Sequence, residues 1–273
     1  MTRALDFITI APRSVKPRKA GYTIARDLGL GYERIKNCLE DVAQFVDFIK
    51  IRHISALKMT HAKDDPVRRK IDLYLQNDIQ PFAGGIVFEL AYAQGQAERV
   101  IPSLADLGFT AIELSENFIQ LTSAEREKYI SLAKKAGLFV FSELGGKYPE
   151  QVLSVAPIVK DMKEVLSMGA DLVTLEGGEL DNALGKQAEK ETGHLILELV
   201  DQVGYENITF EAEEMKQQAW LVNNISREVN IGPNLDIHER GIVMLEPIRL
   251  GLSTGYVYLT DLLQKNAAQA NDR

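Results

Sequence analysis

The chain has 273 residues, of which 45% are hydrophobic and 26% are charged, and its formal net charge is −8. This length suits one large α/β domain or two small ones, and the negative charge argues against non-specific binding to nucleic acid or to anionic membranes. The single cysteine, Cys38, excludes an intrachain disulfide framework, and no window approaches the ~20 apolar residues that span a bilayer. We therefore predict a cytoplasmic protein with a small ligand and no nucleic-acid or membrane partner. A homo-oligomer is also expected, although the sequence does not give the oligomeric state.

The two ends of the chain differ in composition from the rest. Residues 1–19 contain two prolines and five basic residues, which predicts an irregular N-terminal arm. Residues 264–273 are rich in Asn, Gln and Ala and are predicted to form a flexible tail. Between them, short apolar runs alternate with segments of helical period, and Thr122 with Glu125 forms a capping box that predicts the start of a helix.

Eight strands are predicted along the chain. They lie at 21–26, 46–51 and 79–84, in a run ending at 113, and at 138–143, 171–176, 207–212 and 228–232. The predicted helices lie at 35–45, 66–77, 100–107, 123–136, 151–168, 190–203, 214–225 and 242–250. Because strand and helix alternate without a break, the pattern predicts an α/β fold with a single (β/α)8 barrel, the TIM barrel, over 20–263.

One phrase occurs four times: a glycine, a short apolar run, and then a glutamate. The glutamates are Glu113, Glu143, Glu176 and Glu211, and their spacings of 30, 33 and 35 residues each fit one strand, one helix and two turns. Each of these strands therefore ends in a carboxylate. A barrel gathers the carboxyl ends of its strands around one mouth, where enzymes of this fold keep their chemistry.

The four glutamates are candidate metal ligands. Carboxylates that meet in a partly desolvated mouth repel one another unless a cation neutralises them, and oxygen ligands of this type suit Mg²⁺. We therefore predict a Mg²⁺ site formed by Glu113, Glu143, Glu176 and Glu211. The alternative is that one or two of them pair with lysines or cap loops.

Two lysines are candidate catalytic residues. Lys50 ends an otherwise apolar strand, and Lys147 follows Glu143 in a loop whose two glycines allow a ligand to approach the backbone closely. The alternative for each is a solvated lysine. The other strand-end residues, which we expect to bind a small anionic substrate, are Arg52, His53, Gly84, Gly85, Ser115, Glu179 and Asn230, with Glu89 nearby.

Several motifs, taken in order over 16–252, resemble the phosphosulfolactate synthase family. They include Lys16-Pro-Arg, Asp47-Phe-Ile-Lys50, Gly84-Gly85-x-x-Phe-Glu89, Ser142-Glu143-x-Gly-x-Lys147 and Leu245-Glu246-x-x-Arg249. The resemblance implies a (β/α)8 barrel that adds sulfite to C3 of phosphoenolpyruvate with Mg²⁺, an early step towards coenzyme M or sulfolactate. It also implies that Lys147 is the general acid that protonates C2.

The chain departs from the family pattern at two strand ends. The family usually has Phe-Gly-Trp-Gly-Thr-Ser after its strand lysine, where this chain has Ile51-Arg-His-Ile-Ser55. The family also has an Arg-Glu-Ser segment where this chain has Gly178-Glu-Leu180.

These departures leave three interpretations. Arg52 replaces the missing arginine from another strand, or the chain is a paralogue that adds a different nucleophile to an enolpyruvyl-type acid. The third is a non-catalytic barrel with a binding or stress-associated role. The presence of Lys147 and of the strand-end glutamates counts against the third interpretation.

Overall fold

Eight parallel strands close into a barrel in the order β1 to β8. The computed structural model describes residues 4–238, 240–254 and 257–271. The strands are β1 (Thr23–Asp27), β2 (Phe48–Ile51), β3 (Gln80–Ala83), β4 (Ala111–Ser115), β5 (Phe139–Leu144), β6 (Leu172–Leu175), β7 (Ile208–Phe210) and β8 (Asn230–Asp236). The predicted single (β/α)8 barrel is confirmed.

Helices follow the strands and cover the outside of the barrel. They are α1 (Tyr32–Val42), α2 (His53–Leu57), α3 (Pro66–Gln76), α4 (Ile86–Ala93), α5 (Ala97–Asp106), α6 (Ser123–Lys135), α7 (Val155–Ser167), α8 (Gly177–Leu184), α9 (His194–Val203), α10 (Met215–Asn224), α11 (Arg240–Arg249) and α12 (Val257–Asn271). Short 3-10 helices lie at Glu191–Gly193 and Tyr205–Asn207. The predicted capping box at Thr122 is present at the start of α6.

Three helices at the mouth of the barrel were not predicted from the sequence. They are α2, α4 and α8, which begin within three residues of the ends of β2, β3 and β6. Each has eight residues or fewer, and a segment that short does not display a full helical period of apolar residues. These helices matter for function because their first turns border the mouth.

The interior of the barrel changes from apolar to charged along each strand. A cluster that includes Ile24, Phe48, Phe82, Phe141 and Leu172 fills the lower part, with the rings of Phe48 and Phe82 each about 5 Å from that of Phe141. Successive inward positions on a strand are two residues apart. The next inward residues towards the mouth are therefore polar, and they include Arg26, Lys50, Glu113, Glu143 and Thr174.

The amino ends of the strands are closed by the N-terminal segment and by α11. Lys16 Nζ donates to three main-chain carbonyl oxygens at 2.8–3.2 Å, and Arg18 forms a 2.8 Å salt bridge with Asp47. The fully buried Arg249 donates to the carbonyl oxygens of Arg227 and Val229. The basic motif residues near the two ends of the chain therefore stabilise the face opposite the mouth.

The C-terminal segment differs from its prediction. The tail predicted over 264–273 begins inside α12, whose backbone is helical to Asn271, and residues 272–273 lie outside the described residues. Alanine has the highest helix propensity, which explains why a polar, Ala-containing segment becomes helical. Among the described residues, no helix combines the length and apolar character needed to cross a membrane.

Candidate active site

The mouth at the carboxyl ends of the strands contains a cavity with two lobes. The first lobe has a volume of about 360 Å³ and the second about 370 Å³, and both are within the size range of small-ligand sites. Arg26, Lys147, Glu211 and Asn234 line both lobes and form the wall between them. The first lobe is also lined by Lys50, Arg52, His53, Glu113, Ser115, Asn117 and Glu143, and the second by Glu176, Gly177, Gly178, Asp181, Lys186 and Gln217.

Three of the four predicted metal ligands meet in this mouth. One carboxylate oxygen from each of Glu143, Glu176 and Glu211 lies within 4.8 Å of the other two, and all three residues are buried. They come from the ends of β5, β6 and β7, which are neighbours in the barrel. Glutamates that are far apart in the sequence thus form one acidic cluster, because the closed sheet places the ends of their strands side by side.

One carboxylate oxygen of the cluster is buried without a partner in the described part of the chain. Oε2 of Glu176 is buried and has no hydrogen-bond partner among the described residues. Burial, and then contact with the carboxylates of Glu143 and Glu211, raises the pKa of Glu176 to about 11. An unpaired buried carboxylate oxygen beside two other carboxylates needs a proton or a cation, and three hard oxygen donors fit a divalent ion such as Mg²⁺.

Glu113 lies outside this cluster. In the parallel register Glu113 is level with Phe141, two residues before Glu143, so its side chain is one layer deeper in the barrel. Its carboxylate receives the N–H of Gly85 at 2.6 Å and pairs with Lys50 Nζ at 3.0 Å. Of the four predicted metal ligands, three therefore form one cluster, whereas Glu113 takes the alternative role of a lysine partner. Binding of a metal by the cluster stays a prediction.

Lys50 is a fixed positive charge in the floor of the first lobe. Burial alone would lower the pKa of its ammonium group, but the carboxylates of Glu113, Glu143 and Glu211 raise that pKa above its ordinary value. Burial also raises the pKa of Glu113 to about 6, although Lys50 opposes the rise. Lys50 therefore retains its proton, and it is better suited to bind an anion than to transfer a proton.

We expect Lys50→Met to destabilise the fold. Glu113 is 1% exposed, so removing its partner leaves a buried carboxylate without a counter-charge, which costs about 3–5 kcal/mol. The double variant Lys50→Met with Glu113→Gln is expected to regain much of this loss because Gln at position 113 needs no counter-charge. Urea unfolding measures both effects, and equal stability of the single and double variants would contradict the assignment.

The predicted anion-binding corner lies in the first lobe. Arg52 precedes the first residue of α2 and is exposed, while His53 is half-buried, and both line the lobe. Neither side chain forms a salt bridge within the described part of the chain. Gly85 does not act as a free phosphate cradle, because its N–H is bonded to Glu113. A Cβ at Gly85 would lie 2.6 Å from the Ser115 side chain, so the glycine permits close packing of β3 against β4.

Ser115 and Glu89 shape the loop that follows β4. The hydroxyl of Ser115 donates to Glu89, and the Glu89 carboxylate also receives the main-chain N–H groups of Asn117 at 3.2 Å and Phe118 at 2.7 Å. Asn117 Nδ2 in turn donates to Glu143 at 3.2 Å. The buried Glu89 therefore orients the acidic cluster through Asn117, although it does not line the cavity itself.

Lys147 lies on the wall between the lobes, in the loop that connects β5 to α7. Residues of α8 contact this loop and hold it in place. Glu179 accepts the N–H of Gly146 at 2.9 Å, and an added Cβ on Gly178 would lie 2.3 Å from the carbonyl oxygen of Lys147. Glu179 does not line either lobe, so its predicted contact with substrate is replaced by a role in positioning this loop.

Gly178→Ala is expected to displace the loop that carries Lys147. The new methyl group would meet the carbonyl oxygens of Lys147 and Gly146 at 2.3 and 2.6 Å, and a shift of about 1 Å in a catalytic group can cost about 10²-fold in rate. The measurement is kcat with stability monitored by thermal unfolding. Gly31→Ala is the control, because a Cβ at Gly31 meets no heavy atom within 4 Å; equal kcat in both variants would contradict this role of Gly178.

The prediction that Asn230 lies in the mouth is wrong. Asn230 is the first residue of β8, at the opposite end of the barrel. Its amide accepts the N–H of Tyr22 at 3.0 Å and donates to the carbonyl oxygens of Glu206 and Ile208 at 3.0 Å. The predicted strand 228–232 is offset from the observed one, so the residue of β8 that reaches the cavity is Asn234.

Sequence reasoning missed several residues of the mouth, among them Arg26, Asn117 and Asn234. Arg26 interrupts the apolar run of β1 just as Lys50 interrupts that of β2, and the two are level in the register; the same argument would have found it. Asn234 was hidden by the offset in β8. Asn117 lies in a loop whose sequence carries no signal for its contact with Glu143.

A closed parallel barrel with charged residues gathered at the carboxyl ends of its strands is the arrangement typical of (β/α)8-barrel enzymes. Residues 11–254 match the family model described as (2R)-phospho-3-sulfolactate synthase (ComA). The chain belongs to this family, which confirms the resemblance in its motifs, and its relatives indicate an enzyme.

Curated relatives match over most of their length. The chain is 32% identical to the phosphosulfolactate synthase of Methanothermobacter thermautotrophicus, over 91% of this chain and 95% of the relative. It is 27% identical to that of Bacillus subtilis, over 93% and 99%. It is also 21% identical to the Arabidopsis thaliana Protein HEAT-STRESS-ASSOCIATED 32, over 80% and 83%.

Solved structures show the same fold at low identity. The 3-dehydroquinate dehydratase of Enterococcus faecalis superposes with a TM-score of 0.56 at 12% identity, covering 89% of this chain and 100% of that chain. The HpcH/HpaI aldolase of Desulfitobacterium hafniense gives a TM-score of 0.53 at 9% identity, covering 87% and 95%. These similarities support the barrel architecture alone.

Proposed function

We propose that this protein adds sulfite to C3 of phosphoenolpyruvate to form phosphosulfolactate. The observation that carries the proposal is the buried cluster of Glu143, Glu176 and Glu211 beside a cavity whose wall contains Lys147. The cavity provides, within one small volume, a site for a divalent cation, several positive charges for an anionic acid, and a lysine without a salt-bridge partner among the described residues. Membership of the phosphosulfolactate synthase family supports the same reaction.

The reaction requires a nucleophile, a site for negative charge and a proton donor. The sulfur lone pair of sulfite forms a bond to C3, and the π electrons of the C2–C3 bond move towards the carboxylate. Lys147 then gives a proton to C2, so that sulfite and one proton have been added across the double bond. A well-placed general acid contributes about 10²- to 10⁴-fold in rate.

The remaining groups of the mouth bind and orient the substrate. The phosphate is expected at the corner of Arg52 and His53, where two side chains without salt bridges in the described part of the chain line the first lobe. Lys50 adds a positive charge below it. Fixed charges in a water-poor site stabilise a developing anion more than water does.

Glu143, Glu176 and Glu211 would hold Mg²⁺. When bound, Mg²⁺ supplies Lewis-acid stabilisation of the charge that develops on the substrate carboxylate. The three glutamates keep this site at the boundary of the two lobes, and Asn117 orients Glu143 by its 3.2 Å hydrogen bond.

The decisive experiment incubates the purified protein with phosphoenolpyruvate, sulfite and Mg²⁺ and follows the mixture by ³¹P NMR. We expect a new phosphoester resonance that requires all three components and that disappears when EDTA replaces Mg²⁺. The absence of a new resonance would reject the reaction. Repeating the assay with other nucleophiles would then test whether the chain is a paralogue with a changed co-substrate. This alternative arises because Gly178 stands where the family has an arginine.

A further inference from the structure

The wall between the two lobes contains a cation to which the mechanism above gives no role. Arg26 lines both lobes, as do Lys147, Glu211 and Asn234. The other four residues of β1 are buried, whereas the Arg26 side chain is 24% exposed. Arg26 is thus an inward-facing charge at the top of the barrel, in contact with the space that the substrate would occupy.

The guanidinium group of Arg26 is held by one hydrogen bond, and most of its N–H donors are not used by the described residues. Its Nε donates to Oδ1 of Asp236 at 2.7 Å, and the two residues are level on neighbouring strands. Guanidinium has five N–H donors in a planar fork, and this bond uses one. Among residues 4–238, 240–254 and 257–271, the two terminal nitrogens have no hydrogen-bond or salt-bridge partner, although Glu213 lies near enough to feel the charge.

We propose that Arg26 binds the carboxylate of a phosphorylated carboxylic acid, which is the substrate class of the proposed function on which this inference rests. A carboxylate presents two coplanar oxygens that match the free side of the guanidinium fork. Because Asp236 fixes Nε, the orientation of the fork is set before a ligand binds. Arg26 is therefore a specificity-determining residue of the mouth.

The position of Arg26 also fits the order of groups in the substrate. Arg52 and His53 line the first lobe only, whereas Arg26 and Lys147 share the wall between the lobes. A ligand with its phosphate at Arg52 and its carboxylate at Arg26 has C2, which carries both groups, beside Lys147. The same arginine then faces the oxygens on which negative charge develops when C3 is attacked.

A binding experiment that needs no turnover tests this assignment. In the presence of Mg²⁺, 2-phosphoglycolate and ethyl phosphate are titrated into the protein by isothermal titration calorimetry. The two ligands are alike except that 2-phosphoglycolate has a carboxylate where ethyl phosphate has a methyl group. The wild type is expected to favour 2-phosphoglycolate by about 10- to 100-fold, as expected for a charge-assisted, bidentate contact. In the double variant Arg26→Gln with Asp236→Asn, which leaves no unpaired charge, this preference is expected to fall by about 10-fold while ethyl phosphate binds as before.

Two further variants separate recognition from a structural role. Arg26→Lys keeps the charge but not the fork, and it is expected to recover only a small part of the preference. Lys128→Gln removes a cation on α6 that pairs with Glu98 and lines neither lobe, and it is expected to retain the full preference. An Arg26 that merely ties β1 to β8 would alter stability without changing the ratio of the two affinities.

The outcomes separate this inference from the proposed function. An unchanged preference in the double variant, or no preference in the wild type, overturns the role of Arg26 even if the sulfite reaction is observed. A preference that depends on Arg26, in a protein that forms no product with sulfite, supports the carboxylate site and rejects the sulfite reaction. The ligand would then remain a phosphorylated acid with another nucleophile.

Discussion

Lys147→Ala is expected to lower kcat by about 10²- to 10⁴-fold, the usual contribution of a general acid, with a much smaller change in the KM for phosphoenolpyruvate. Lys147 lies on the wall between the lobes, and the acidic cluster and the Arg52 corner remain in place without it. The variant should therefore still bind the acid and fail at protonation of C2. Steady-state kinetics with sulfite and Mg²⁺ measures the two parameters separately.

Two control variants distinguish proton donation from electrostatic attraction. Lys147→Arg keeps a positive charge, but a guanidinium group holds its proton too tightly to be a good proton donor, so we expect it to retain affinity and to lose kcat. Lys186→Ala removes a lysine that lines the second lobe without reaching the first, and it is expected to leave kcat nearly unchanged. An unaltered kcat in Lys147→Ala would remove Lys147 from the mechanism.

Glu176→Gln is expected to abolish activation by Mg²⁺ and to stabilise the metal-free protein at neutral and alkaline pH. In the folded metal-free protein the pKa of Glu176 is about 11, against an ordinary value near 4.5, so the folded state holds a proton that the unfolded chain releases. The stability associated with that proton is fully present below about pH 4.5 and is lost as pH rises towards about 11, with a slope of up to about 1.4 kcal/mol per pH unit. Glutamine carries no such proton, so this slope should disappear.

Urea unfolding over a range of pH, with EDTA or with Mg²⁺, measures both parts of this prediction. Mg²⁺ is expected to stabilise the wild type increasingly as pH rises, because the cation replaces the proton, and to have little effect on Glu176→Gln. Glu179→Gln is a matched control three residues along the chain, since Glu179 bonds the N–H of Gly146 and lies outside the cluster. If Glu176→Gln and the wild type show the same pH slope and the same response to Mg²⁺, the cluster is not the metal site.

Sequence periodicity predicted the barrel because strand and helix are local properties with different repeats. The four Gly-to-Glu phrases fall on β4, β5, β6 and the end of β7, as their spacing indicated. Periodicity missed four helices, of which α2, α4 and α8 are too short to show a repeat and border the mouth. The fourth, α12, lies in the C-terminal segment, where a polar composition was interpreted as a tail.

The candidate site was predicted where strand ends are marked by a charge in an apolar run, as at Lys50 and Glu143. It was mispredicted where a strand boundary moved, because an offset in β8 exchanges Asn230 at one end of the barrel for Asn234 at the other. The depth of each glutamate side chain within the barrel could not be predicted from the sequence either. Glu113 and Glu143 end similar phrases, yet the register places Glu113 one layer lower, beside Lys50.

By itself, the sequence determined the class of fold, the end of the barrel where charges gather, and the motifs of the family, because these depend on spacing along one chain. Only the tertiary structure decided which charges meet. Side-chain contacts across a barrel depend on strand register and on closure of the sheet. Glu143, Glu176 and Glu211 therefore form one cluster, Glu113 pairs with Lys50, and Arg26 with Lys147 forms the wall that divides the cavity.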